Sequence, residues 1–139
     1  MEIERRYIPE LRAAEAADMT LEGYAALFNS PTQIENFREV IAPSAFTRAL
    51  ANPKNDTCCL FNHDVSKVLG RTTSGTLTLS TDSLGLRFRC RLDSNNSDHR
   101  SIYASVKRGD VNSCSFGFNP NGDAGEAWSN DNGLVRTLK

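Results

Sequence analysis

Residues 75–92, GTLTLSTDSLGLRFRCRL, constrain the fold more than any other stretch of the chain. Leu77 and Leu79 alternate with threonines, and Asp82-Ser83 then supplies turn residues. Leu84, Leu86, Phe88, Cys90 and Leu92 follow at a strict period of two. Side chains on a strand point alternately to its two faces, so this pattern predicts a β-hairpin with one buried face. A hairpin is not stable alone in water and needs more strands or a helix against that face. TLEGYAALFNS is rich in β-branched and aromatic residues and predicts one such strand, with Gly23 as its bulge. The apolar run TCCLFN predicts a buried strand, and VNSCSFGF and LVRTLK predict two more.

Two segments break the strand pattern. In APSAFTRALANP, Pro43 suits a first helical turn, Phe46 and Leu50 fall on one face, and Asn52-Pro53 ends the run. In NSDHRSIYASVKRGD, Asn96 or Ser97 can cap and Ile102 and Val106 form an apolar stripe. Lys107 and Arg108 suit the last turn, and Gly109 stops it. NPNGDAGEAWSNDNG, polar and turn-rich, predicts a flexible loop. Strands with two inserted helices give an α+β class, expected as a mostly antiparallel β-barrel with helices around it. With 139 residues, one domain spanning 1–139 is expected.

A net charge of −1 offers no basic field for nucleic acid, and no apolar run is long enough to span a bilayer. The chain has no Gly-rich phosphate loop, since GEAWSNDNG lacks the lysine and the following helix that a phosphate needs. Cys58, Cys59, Cys90 and Cys114 lack a disulfide-framework spacing and are expected as reduced core thiols. Cys58, Cys59 and His63 form a C-C-x3-H cluster. Adjacent cysteines on a strand face opposite ways, so a zinc site is not expected, nor any other metal or cofactor.

His63 follows the apolar run Cys59-Leu60-Phe61, between Asn62 and Asp64, where it can face a cleft. An imidazole there can take a proton from a serine near neutral pH. The plainer alternative is a turn histidine held by Asp64. His99, between Asp98 and Arg100 at a helix start, is expected as a solvated surface residue. Ser113 and Ser115 share one face of the strand NSCSFGF and Cys114 the other, so periodicity alone leaves both serines open as a nucleophile.

The segments LEGYAALFNS, FREVIAPSAFTRAL, LFNHDVSKVLGRTTSGTLTLSTDSLGLRF and IYASVKRGDVNSCSFGF, in that order, resemble the prohead serine proteases of tailed bacteriophages. That family looks like a distant relative of the herpesvirus capsid-maturation protease, assemblin, which implies an assemblin-like barrel. The resemblance implies a serine endopeptidase that works inside the viral procapsid in the host cytoplasm. Its partners would be the major capsid protein with its scaffold segment and other procapsid proteins, and it would also cleave itself. No nucleic-acid or membrane partner is implied, and self-association is compatible with it. His63 of FNHD matches the catalytic histidine and Ser115 of SFGF the nucleophile. Where the family usually has a small residue and a Met before that serine, this chain has Ser113 and Cys114. Arg71 of LGRT and Arg136 of VRT are the candidates for an arginine behind the oxyanion hole. The family's third catalytic residue comes on a strand after the nucleophile, here LVRTLK. That third residue is therefore unknown within this sequence and expected beyond Lys139, with the domain cut short at its C-terminal end. Asp123, Glu126 or Asp131 is the alternative source. Two rival functions are an inactive barrel that binds capsid or scaffold, and a small metal-binding β domain.

Overall fold

The computed structural model describes residues 4–8, 11–13, 19–118, 125–130 and 133–139, and within these the side chains of 4–8, 12, 115 and 118 lie outside the description. Its centre is the expected hairpin. Strand β8 (Leu77–Thr81) pairs antiparallel with β9 (Gly85–Arg91), Leu77 opposite Cys90 and Leu79 opposite Phe88. The Asp82 carboxylate accepts from the backbone N–H of Leu84 and Gly85 at 2.8 and 3.1 Å, which closes the turn. The Tyr24 hydroxyl donates to the same carboxylate at 2.5 Å. These donors, Tyr24 first, hold the Asp82 carboxyl below its ordinary range.

On its other edge β9 pairs with β3 (Thr20–Leu27), and β3 pairs with β2 (Leu11–Ala13), giving a four-stranded antiparallel sheet in the order β2-β3-β9-β8. The strand β3 was expected with a bulge at Gly23. Gly23 instead pairs regularly with Phe88 and with Leu11, and the register slips between Tyr24 and Ala26. The cause is local: after the slip the Ala26 carbonyl lies so close to Gly85 that a Cβ there would sit 2.0 Å from its oxygen. Only a glycine permits this approach, and the obstructing atom is backbone. Gly85→Ala is expected to cost about 3 kcal/mol or more, read as a lower urea midpoint at unchanged m-value.

A second sheet has the order β11-β12-β5-β4: β4 (Thr32–Ile34), β5 (Phe37–Ile41), β11 (Glu126–Asn130) and β12 (Leu134–Leu138). Within it β12 runs parallel to β5, and the other pairs are antiparallel. Two ribbons complete the described strands: β1 (Glu4–Ile8) with β10 (Cys114–Phe118), and β6 (Cys58–Leu60) with β7 (Val68–Arg71). The class is α+β as expected, but the barrel is not: the described strands form four separate hydrogen-bonded sheets that do not close into a ring. The ribbons join the larger sheets by side-chain packing, not by backbone ladders. TCCLFN is likewise no buried strand, because β6 has a single partner and leaves Cys58 exposed with Cys59 and Leu60 half-buried. Part of the expected 119–133 loop is strand β11, while 119–124 and 131–132, including Asp123 and Asp131, lie outside the described residues.

Helix α1 (Thr47–Ala51) is shorter than expected. Pro43 lies in the turns before it, and Phe46 occupies the N-cap without a side-chain cap. Phe46 and Leu50 do share the packed face. Helix α2 (Ser97–Arg108) matches its sequence signals closely. Asn96 is the cap, its Oδ1 accepting from the N–H of Asp98 and His99 at 2.9 and 3.3 Å, and the helix stops at Gly109.

Among the described residues, two apolar clusters form the core. One gathers Leu21, Leu69, Leu77, Phe88, Cys90, Leu92 and Val106 between the β2-β3-β9-β8 sheet and α2. The other gathers Ala26, Phe28, Ile41, Leu86 and Leu138, where β3, β5, β9 and β12 converge under α1. Strand β10 touches both: Cys114 packs on the first cluster and Phe116 on the second, against Phe46 at a ring separation of 5.7 Å. The segment carrying Ser115 is thereby anchored at the seam of the core.

Candidate active site

His63 sits in the seven-residue connection between β6 and β7. Phe61 N–H donates to the Lys67 carbonyl at 3.1 Å, Asp64 N–H to Phe61 at 3.0 Å, and Lys67 N–H to Asp64 at 2.9 Å. Within this tight loop both Asn62 and His63 adopt left-handed backbone, φ 53° and 55°. Asparagine tolerates that region better than most residues, and two such positions in a row store strain, which clusters at working sites. Asp64 braces the loop just after His63. Its Oδ1 accepts from the Ser66 hydroxyl at 2.6 Å and the Ser66 N–H at 2.9 Å, holding the Asp64 carboxyl below its ordinary range. The His63 side chain is half-buried.

Ser115 lies in β10 with its backbone opposite Tyr7; its side chain is outside the described residues. Its neighbour Cys114 donates its thiol to the Tyr24 carbonyl at 3.0 Å, beside the β3 bulge. A methionine, which has no S–H, could not make this bond. The strand faces inward at Cys114 and Phe116, which agrees with the period-two expectation for Cys114. The hairpin that carries His63 rests on the same cluster as Cys114, through Cys59 and Phe61. Both segments are therefore fixed to one piece of core.

The two arginines expected near an oxyanion are both engaged by acids. Arg71, at the end of β7, makes a two-pronged pair with Asp56: Nε to Oδ1 at 2.7 Å, and a second, shorter contact to Oδ2. The Asp56 carboxylate pushes the Arg71 guanidinium further above its ordinary range, and the same hydrogen bond holds the exposed Asp56 carboxyl low. Arg136 is buried. Its Nε donates to Glu126 at 2.6 Å and its Nη1 to Glu39 at 3.3 Å, and its guanidinium lies 5.8 Å from the Trp128 ring centre. The register explains the cluster, since Trp128, Arg136 and Glu39 stand in one row across β11, β12 and β5. Glu126, an alternative third catalytic residue, is thus an ion-pair partner of Arg136. Glu39 and Arg136 side chains are only 2% and 7% exposed. Removing one partner of a buried pair strands the other's charge, so Arg136→Ala is expected to destabilise the fold by roughly 3–5 kcal/mol. Chemical denaturation measures it.

His99 overturns its expectation of a solvated side chain: it is buried. Its Nδ1 accepts from Asp93 N–H at 2.9 Å, which leaves the Nε2 proton to donate to the Val68 carbonyl at 3.1 Å. The ring ties the α2 start to β7. Its position three and seven residues before Ile102 and Val106 puts it on the apolar stripe, a signal present in the sequence. Among the described residues no three His, Cys, Asp or Glu side chains are grouped to hold a metal ion. Cys58 is exposed, and Cys59 lies on the core side. No described helix is long and apolar enough to cross a membrane.

No solved structure matches this chain significantly. Among curated proteins, the prohead protease of Enterobacteria phage HK97 is 33% identical over 98 residues. That match takes in 70% of this chain and 40% of the relative, so the chain spans well under half the length of the protein it resembles. The family model described as caudovirus prohead serine protease matches residues 8–139, which takes in both the strained His63 loop and strand β10. By that near-complete match, the chain belongs to the caudovirus prohead serine protease family.

Proposed function

We propose that this chain is a serine endopeptidase of prohead maturation, with Ser115 as nucleophile and His63 as general base. The observation that carries the proposal is family membership across residues 8–139. It is supported by the anchoring of the His63 hairpin and the Cys114 end of β10 on one core cluster. In this mechanism the Ser115 hydroxyl attacks a peptide carbonyl while the His63 imidazole takes its proton. The imidazolium then gives that proton to the leaving amine, and water repeats the cycle on the acyl-enzyme. Preorganised N–H donors stabilise the oxyanion.

Of the two arginines, Arg71 is the better support for that anion, because it lies on the histidine-bearing ribbon and is half exposed. Arg136 is already committed to two carboxylates inside the second sheet. The substrates are procapsid proteins, the capsid subunit with its scaffold segment foremost, and the protease itself. The test is co-expression with a capsid precursor carrying its scaffold segment. Release of that segment as a discrete fragment is expected; an intact precursor beside a folded, soluble protein contradicts the proposal and favours a binding module.

A further inference from the structure

The β6–β7 ribbon meets the central sheet at one point of unusually close packing. Gly70 lies directly opposite Cys59 in the ribbon's ladder. A Cβ built on Gly70 would sit 2.6 Å from the Sγ of Cys90. Cross-strand neighbours have Cβ atoms about 5 Å apart, so the missing side chain of Gly70 lets Cys90 approach the ribbon beside Cys59. Both cysteines belong to the same core cluster, Cys90 fully buried and Cys59 half-buried at its margin. Both are free thiols.

We propose that Cys59 and Cys90 are a reversible disulfide site that staples the His63 hairpin to strand β9. The oxidant is a peroxide. The Cys59 sulfur, at the margin of the core, attacks one peroxide oxygen, the O–O bond breaks, and a sulfenic acid forms with release of water. The Cys90 sulfur then attacks the Cys59 sulfur, the S–S bond forms, and the hydroxyl leaves as a second water. Two thiols are oxidised by two electrons, and one hydrogen peroxide is reduced to two waters. Access sets this division of roles: Cys59 lies at the margin of the cluster and Cys90 is fully buried, so peroxide meets Cys59 first and Cys90 resolves. Without the bond the ribbon has no backbone ladder to the central sheet. With it, a packing contact four residues before His63 becomes covalent. Any consequence for catalysis rests on the reading of His63 as the base, whereas the bond itself does not.

The experiment treats the folded protein with hydrogen peroxide, in a Cys58→Ser background that removes the exposed neighbouring thiol. Free thiols are counted and linked peptides mapped by mass spectrometry. Loss of two of the three remaining thiols, a Cys59–Cys90 peptide, and full return of both thiols with dithiothreitol are expected. The oxidised form should melt higher by on the order of 10 °C. Cys59→Ser should prevent the linkage, and Cys90→Ala should do so independently. The same treatment in urea should give mixed pairings. Retention of all thiols in the folded protein, or a linkage through Cys114 instead, overturns the proposal.

Discussion

Ser115→Ala is expected to abolish release of the scaffold segment from a co-expressed capsid precursor, while Ser113→Ala leaves most of it. The two serines are close in sequence but differ in setting. Ser113 is exposed and precedes β10, whereas Ser115 lies inside the strand, between two residues locked into the core. A nucleophile must be held within a fraction of an ångström of a productive position, and only the second serine has that support. Losing the nucleophile of a serine–histidine pair removes about 10⁶ in turnover. Quantifying the released fragment over time measures it. Normal cleavage by Ser115→Ala would transfer the role to another residue.

His63→Ala is expected to lower turnover by about 10⁴-fold or more with little loss of stability. His99→Ala should do the reverse. His99 spans two part-buried hydrogen bonds, each contributing about 1 kcal/mol, so its removal should cost roughly 2–3 kcal/mol and leave turnover nearly intact in the folded fraction. The contrast follows from position. His63 stands at a strained loop tip, and His99 bridges α2 to β7 inside the fold. Parallel peptidase assays and urea titrations separate the effects; equal losses of turnover from both variants would refute the division of roles.

Much of the central sheet was legible because its signals are local. The alternation from Leu84 to Leu92 and the Asp82-Ser83 turn need no knowledge of the rest of the chain. Asn96 and Gly109 bound α2 for the same reason, since capping is decided within a few residues. Of the second sheet, β12 was legible from LVRTLK, and its partners were not. Strand β11 is hidden in a polar segment and is held by its ladder to β12 and by Trp128 against Phe37, 5.0 Å away. The parallel β5–β12 pair joins residues about a hundred positions apart, which no local pattern announces. The buried Arg136–Glu39 pair was hidden for a related reason: Glu39 becomes a neighbour of Arg136 only through that pairing. At the site, His63 and Ser115 stand out by motif, but the left-handed turn at Asn62-His63 and the Cys114 bond to Tyr24 exist only in three dimensions.

Labelling with a fluorophosphonate probe, mapped to a single residue by mass spectrometry, tests the central assignment most directly. Such probes react with serines made nucleophilic by a neighbouring base, so the measurement reads Ser115 and His63 together and requires no knowledge of the substrate. Covalent modification at Ser115 in the native protein is expected, with none in Ser115→Ala and a loss of at least a hundredfold in labelling rate in His63→Ala, on the scale set by removing a general base. A folded native protein that stays unlabelled, or that labels at a different serine, contradicts the assignment.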